Sequence, residues 1–290
     1  MEFKKVSIED LNILTRAISE QSSRACDISA GNLVFWRDYY DTSYYLGEDG
    51  FAVRFGNMEK VVSYYCGTNE ALLSRLISLE GGTLRLSCVT EEEKEIIETR
   101  FECSDARYSE DWSDYLYSAE DIVTLRGKRF NGQRNHINKF SRLYPDALFC
   151  EISEENVAAV KDFCHGYFHS FGNEEGGVAA YEEEHIIEQL DNLEKYALHT
   201  GVLTVNGKIA GFSIGETVND TLIIHTEKAN TAYDGVYPTL VKLFAKRYVA
   251  EGTKYINREE DCGVAGLRTS KRSYHPLELL KKYSLVISEK

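Results

Sequence analysis

Long apolar runs are missing from these 290 residues. No stretch approaches the roughly 20 consecutive apolar side chains that a membrane-spanning helix needs, and no apolar run follows the lysines of Met1-Glu2-Phe3-Lys4-Lys5-Val6. Neither a span nor a secretory signal is therefore expected, and the cytoplasm is the expected location. Proline is scarce at 3 residues, which with 21 glycines excludes collagen-like and low-complexity chains. The 7 cysteines are an odd number and widely spread, with no C-x-x-C pair. That pattern excludes a disulfide framework and the spacing of a zinc site, and predicts small buried thiols. No G-x-S-x-G elbow occurs and no cysteine is visibly paired with a histidine, which disfavours a nucleophilic triad.

What remains is an ordered globular composition, 43% hydrophobic and 28% charged, long enough to divide into two domains. Acid dominates: 47 Asp and Glu against 33 Lys and Arg give a net charge of -14, which disfavours nonspecific binding of long nucleic acids. Base is concentrated in two segments. Residues 127–142 carry Lys128, Arg129, Arg134, Lys139 and Arg142 with no acid, and residues 266–282 carry Arg268, Lys271, Arg272, Lys281 and Lys282 against Glu278. Each segment is either a solvated helix face or a localised grip on an anion.

The chain echoes itself. A strand over 2–6 leads through Ser7-Ile8-Glu9-Asp10, which has the form of a capping box, into a helix with Leu11, Leu14 and Ile18 on one face. A strand over 148–152 likewise precedes Ser153 and a helix with Val157, Val160 and Phe163. Each start is followed by a hairpin, at Gly56-Asn57 and at Asn206-Gly207, and then by alternating strands and helices. Pro238 suits the first turn of a helix over 238–250. The predicted architecture is α/β (α+β), with two like-folded domains, each a mixed β-sheet flanked by helices. The predicted division is 1–117, a basic helical connection over 118–145, and 146–290.

Two polar clusters stand out. Asn257-Arg258-Glu259-Glu260-Asp261 leaves the C-terminal edge of a predicted strand, where ligands gather in open sheets. Three adjacent acids need relief from cations such as Arg258, Arg268 and Lys271; the run is either a structural ion-pair network or a catalytic group. A metal is the least favoured reading, because neighbouring acids cannot all converge on one ion. In His225-Thr226-Glu227-Lys228, strand alternation puts His225 and Glu227 on one face, where they either satisfy each other or position an amine for acyl transfer.

The junction Tyr233-Asp234-Gly235-Val236-Tyr237-Pro238 resembles the cofactor loop of the Gcn5-related N-acetyltransferases, which cradles the pyrophosphate of coenzyme A. It keeps Gly235, but Tyr237 stands at the second small position and Pro238 removes an amide donor. Asp114-Tyr115-Leu116-Tyr117, Glu120-Asp121, Leu125-Arg126-Gly127-Lys128 and Arg134-Asn135-His136-Ile137 are similar to the DUF2156 family. So are Gly211, Gly215-Glu216, residues 225–229, Tyr233, Gly235, 257–261, Gly263, Gly266-Leu267-Arg268, Lys271 and Tyr274. That family is itself similar to the C-terminal catalytic domain of phosphatidylglycerol lysyltransferases.

The resemblance covers nearly the whole chain. It implies two acetyltransferase-like domains in tandem, as in Fem-type aminoacyl-tRNA-dependent transferases. It further implies an aminoacyl-tRNA or acyl-coenzyme A donor and an amine, hydroxyl or lipid head-group acceptor. On this reading Lys128, Arg134 and His136 meet a tRNA acceptor end or another phosphate. His225, Glu227, Glu259, Glu260 or Asp261 position or deprotonate the acceptor, and Tyr274 or Lys271 stabilises the oxyanion. Lys228, Tyr233, Gly235, Asn257, Arg258 and Arg268 complete the expected binding site. A noncatalytic ligand-binding module is the alternative of a different class.

Overall fold

The computed structural model describes residues 1–56, 61–170 and 177–290, so Asn57 of the first expected hairpin lies outside the described residues. The chain forms two compact units. One holds Met1–Tyr115, Glu259–Thr269 and Glu278–Lys290; the other holds Leu116–Arg258 and Ser270–Leu277.

The first unit is built on a sheet of seven strands. In spatial order these are Lys4–Lys5, Ser43–Gly47, Gly50–Phe55, Ser63–Tyr65, Leu84–Thr90, Lys282–Glu289 and Phe101–Tyr108. Ser63–Tyr65 and Leu84–Thr90 are parallel, and the other neighbours are antiparallel. The expected opening cap forms, with the Ser7 amide donating to Asp10 Oδ2 at 3.0 Å before helix Leu11–Ser19. Thr90 caps helix Glu91–Arg100 in the same manner, exchanging bonds with Glu93. Helix Glu70–Leu79 buries Leu72, Leu73, Leu76 and Ile77 against Ala52, Tyr64, Leu84, Leu86, Leu285 and Ile287.

Leu285 and Ile287 belong to the last strand, and here the division differs from the expected split at 117 and 146. Lys282–Glu289 pairs with Leu84–Thr90 on one side and Phe101–Tyr108 on the other. Its alternating Leu285 and Ile287 have their apolar partners in the first unit's core, and strand pairing takes no account of distance along the chain.

In the second unit the strands run Asp114–Ser118 (through Leu116 to Ser118), Tyr255–Asn257, Thr221–Ala229, Lys208–Val218, His199–Val205 and Leu148–Cys150. Asn206 and Gly207 take positive φ of 49° and 71° between two of them, as a two-residue hairpin turn requires. Helix Val236–Tyr248 packs Val236 and Leu240 with Phe140 of helix Asn131–Leu143, Leu203, Val205 and Ala210. The basic segment is thus part of this unit's fold and not a free connection. Helices Val157–Ser170 and Val178–Asp191 complete it.

Truncation before Lys282 would leave the edges of Leu84–Thr90 and Phe101–Tyr108 unpaired and open the core at Leu285 and Ile287. Circular dichroism and calorimetry should show loss of the first unit's cooperative unfolding transition, whereas Lys290→Ala should leave it in place.

Candidate functional site

In the second unit, Thr221–Ala229 and Tyr255–Asn257 are parallel but paired only at Thr221↔Tyr255, Leu222↔Ile256 and Ile223↔Asn257. The first strand then runs on to Ala229 while the second gives way to Arg258. Past that point side chains join what backbone bonds do not. Arg258 donates to Glu227 Oε2 from Nε at 3.0 Å and from Nη2 at 2.7 Å. The two side chains are 5% and 12% exposed. Burial alone would lower the guanidinium's pKa, but the Glu227 carboxylate outweighs it and holds the pKa above its ordinary value.

The guanidinium carbon lies 4.8 Å from the ring centre of Tyr274 and 5.9 Å from that of Tyr117. Burial pushes the Tyr274 phenol up to about 12. Lys271 Nζ donates to the Arg258 carbonyl at 2.5 Å, and the Tyr117 hydroxyl donates to the Lys271 carbonyl at 2.8 Å. Two atoms of this assembly remain unspent. Glu227 Oε1 and Arg258 Nη1 are buried and have no hydrogen-bond partner among the described residues. Each such group costs on the order of 1–3 kcal/mol, more when charged, so neither is retained for stability.

The other predicted residues of this unit are engaged elsewhere. His225 does not pair with Glu227; its Nε2 is 3.0 Å from Glu216 Oε1. Lys228 pairs with Glu182 at 2.7 Å and lies over the rings of Tyr167 and Phe168. Tyr233 packs edge-on against Tyr144, and Asn257 is buried. Arg134 is a clamp on backbone, donating to the carbonyls of Leu125 and Gly127. Arg129 pairs with Asp121, and Lys139 with Asp234, which lies 3.9 Å from His136. Two of the segment's five cations are thus paired locally and Arg134 is held on backbone, while Lys128 and Arg142 are exposed and form no ion pair among the described residues.

Gly235 is fixed by packing. Its φ is 84°, and a Cβ there would meet the His136 carbonyl oxygen at 2.4 Å. The helix start that follows has few free amides for a phosphate. Val236 donates to the Tyr233 carbonyl, Thr239 to the Gly235 carbonyl, and Pro238 has no donor. The Tyr237 hydroxyl accepts the Ala229 amide at 3.2 Å.

The acid run belongs to the first unit and is structural in its bonding. Asp261 is fully buried and accepts from Arg268 Nε and Nη2, from the Tyr115 hydroxyl and from the Gly263 amide. The Arg268 guanidinium, resisted by burial and helped by Tyr115, holds the Asp261 carboxyl at about 2. No oxygen of Asp261 is left to act as a base. Glu259, at a positive φ of 56°, accepts from Asn32 Nδ2 at 2.8 Å. Glu260 lies 3.3 Å from Lys282, which also pairs with Asp27 at 2.6 Å and Asp114 at 2.7 Å. Burial opposes that charge, but Asp114 and Asp27 hold the Lys282 pKa well above the ordinary value. Cys26, Asp27 and Asp114 bring their ligand atoms within 4.8 Å of one another, a spacing that suits a metal ion. The Lys282 ammonium stands among them and supplies the cation. Sequence reading missed Lys282 as a core charge, and missed Tyr117 and Glu216 as partners; their signals were a basic residue opening an apolar strand and the Asp114–Tyr117 and Gly215-Glu216 motifs.

Two stability measurements check this reading. Removing one partner of the Glu227–Arg258 pair, as in Glu227→Leu, should cost about 3–5 kcal/mol, because it strands a buried charge. The double variant Glu227→Leu with Arg258→Met should recover most of that loss in denaturant titrations; a cost equal to the single change would mean that the pair is kept for stability. For Asp261, the folded-state pKa is depressed, so its contribution is present above the unfolded value near 3.8 and is lost as pH falls towards about 2. Asp261→Asn should therefore destabilise by about 2 kcal/mol at pH 7, and the difference from the parent should vanish as pH approaches about 2.

The fold recurs in known proteins. A solved protein of unknown function from Bacteroides thetaiotaomicron VPI-5482 is 32% identical, with a TM-score of 0.91 over 99% of this chain and 100% of that one. The C-terminal domain (DUF2156) of a putative lysylphosphatidylglycerol synthetase from Agrobacterium fabrum shares the fold at 15% identity, with a TM-score of 0.67 over 96% of this chain and 91% of that one. A Gcn5-related acetyltransferase from Colwellia psychrerythraea aligns over 100% of both chains at 8% identity, with a TM-score of 0.50. The uncharacterized protein MYCGA3080 of Mycoplasmoides gallisepticum (strain R(low / passage 15 / clone 2)) is 26% identical over 176 residues, 59% of this chain, so the match spans about 55% of that relative's length. Residues 19–286 match the family described as phosphatidylglycerol lysyltransferase, C-terminal, and the chain belongs to that family.

Proposed function

We propose that this protein is an acyltransferase that moves an aminoacyl group from a charged tRNA to an amine or hydroxyl acceptor, a lipid head group among them. Family membership supports the acyl-transfer class. A solved structure of similar fold is named L-PGS from Bacillus licheniformis (15% identity, TM-score 0.61). The observation that carries the reading is the unspent pair at the parting strands: an acceptor, Glu227 Oε1, and a cationic donor, Arg258 Nη1, joined through Oε2 and shielded from water.

Acyl transfer needs both functions. The acceptor attacks the ester carbonyl and a new bond to carbon forms. The displaced π pair moves to oxygen, where the Arg258 Nη1–H stabilises it. The acceptor's proton passes to Glu227 Oε1, then to the leaving oxygen as the ester bond breaks. Dry surroundings strengthen both interactions, and the Tyr274 and Tyr117 rings against the guanidinium keep it in place. Acyl-coenzyme A fits less well as donor, since Tyr237 and Pro238 leave the helix start poor in phosphate-binding amides.

Transfer of radiolabelled amino acids from total charged tRNA to lipid, amine and peptide acceptors is the direct test. Glu227→Gln, with its fold verified by melting, should lower turnover by about 100-fold or more with little change in KM. Absence of transfer with every amino acid, or transfer from acetyl-coenzyme A instead, would refute the reading. Ligand binding without turnover would point to the noncatalytic module.

A further inference from the structure

A second binding site is built into the first unit, in residues that acyl transfer does not use. Lys5, Ser43, Arg54 and Tyr64 are successive cross-strand partners: Lys5 opposite Ser43, Ser43 opposite Arg54, Arg54 opposite Tyr64. Directly opposed residues share a face of the sheet, so these four form one polar row. Helix Glu70–Leu79 covers the neighbouring part of that face. Where the helix ends, the row borders a cavity of about 360 Å³ whose apolar wall includes Phe3, Leu76 and Leu79. That volume lies within the roughly 300–1,000 Å³ of small-molecule sites.

The polar side of the cavity is incomplete. Ser43 is 3% exposed, and its Oγ has no hydrogen-bond partner among the described residues. A buried hydroxyl in that state is destabilising unless a ligand answers it. Arg54 forms no ion pair among the described residues and lies beside the Tyr64 hydroxyl, which donates to Glu80 at 2.6 Å. Lys5 pairs with Asp41. One guanidinium bonded to Tyr64 but in no ion pair, and one hydroxyl without a partner among the described residues, therefore stand beside an apolar wall. The Glu80 carboxylate, fixed by Tyr64, opposes any head group bearing two negative charges.

We propose that this cavity binds a small amphiphilic monoanion, a carboxylate held by Arg54 and the Ser43 hydroxyl with a short hydrocarbon tail along Phe3, Leu76 and Leu79. The site lies wholly within the first unit and does not depend on the proposed activity of the second.

Isothermal titration with sodium octanoate tests it, with octylammonium chloride as a probe of the same tail and opposite charge. Octanoate should bind saturably with a Kd of about 0.1–1 mM. Arg54→Gln should weaken it about tenfold or more, and Ser43→Ala several-fold, because a charge-assisted bond and a neutral one are lost. Leu79→Asp, at an exposed position on the cavity wall, should also weaken it and keeps the test open should a sheet variant fail to fold. Octylammonium should not saturate. Absence of saturable octanoate binding, unchanged affinity in Arg54→Gln and Leu79→Asp, or equal binding of the cation would each overturn the proposal.

Discussion

A buried guanidinium must be matched by a buried carboxylate, and the second unit is arranged around that requirement. Arg258 emerges where its strand stops pairing, and Glu227 stands on the neighbouring strand that continues. Backbone bonding ends after Ile223 and Asn257, so the ion pair holds the parted strands, and the Tyr274 and Tyr117 rings close on it. A pair chosen for stability alone would have satisfied all of its atoms, or have been apolar. This one leaves an acceptor and a donor without partners among the described residues, the two functions that the proposed acyl transfer requires.

The first unit solves a similar electrostatic problem differently. Lys282 opens the last strand and is buried among Asp27, Asp114 and Glu260, with Cys26 beside them. Two further acids of that unit are consumed by hydrogen bonds: Glu259 by Asn32 and Asp261 by Arg268 and Tyr115. The run 259–261 is thereby a locking device for its loop. Glu227, by contrast, keeps one buried carboxylate oxygen without a hydrogen-bond partner among the described residues.

Local features were legible because they depend on neighbours in the chain. Helix Leu11–Ser19 follows from its apolar spacing and the Ser7–Asp10 cap, and the Asn206-Gly207 turn from the positive φ those residues tolerate. His225 and Glu227 were legible as polar residues on one strand, but each found a different partner, Glu216 and Arg258. The glycine at 235 was legible as special, though its reason was the approach of the His136 carbonyl and not room for a phosphate.

By itself, then, the sequence determined that there would be two mixed sheets with helices, where the Asn206-Gly207 turn falls, and which residues carry charge. Those properties rest on local conformational preference and periodicity. Tertiary structure decided that the last strand enters the first sheet and that Glu227, bonded through Oε2, keeps Oε1 without a partner among the described residues. It also decided that Arg134 and Lys139 of the basic helix are spent on neighbouring carbonyls and on Asp234. Apart from the Arg134 bonds, each of these outcomes turns on contacts between residues far apart in the chain, where burial sets the cost of an unmatched charge.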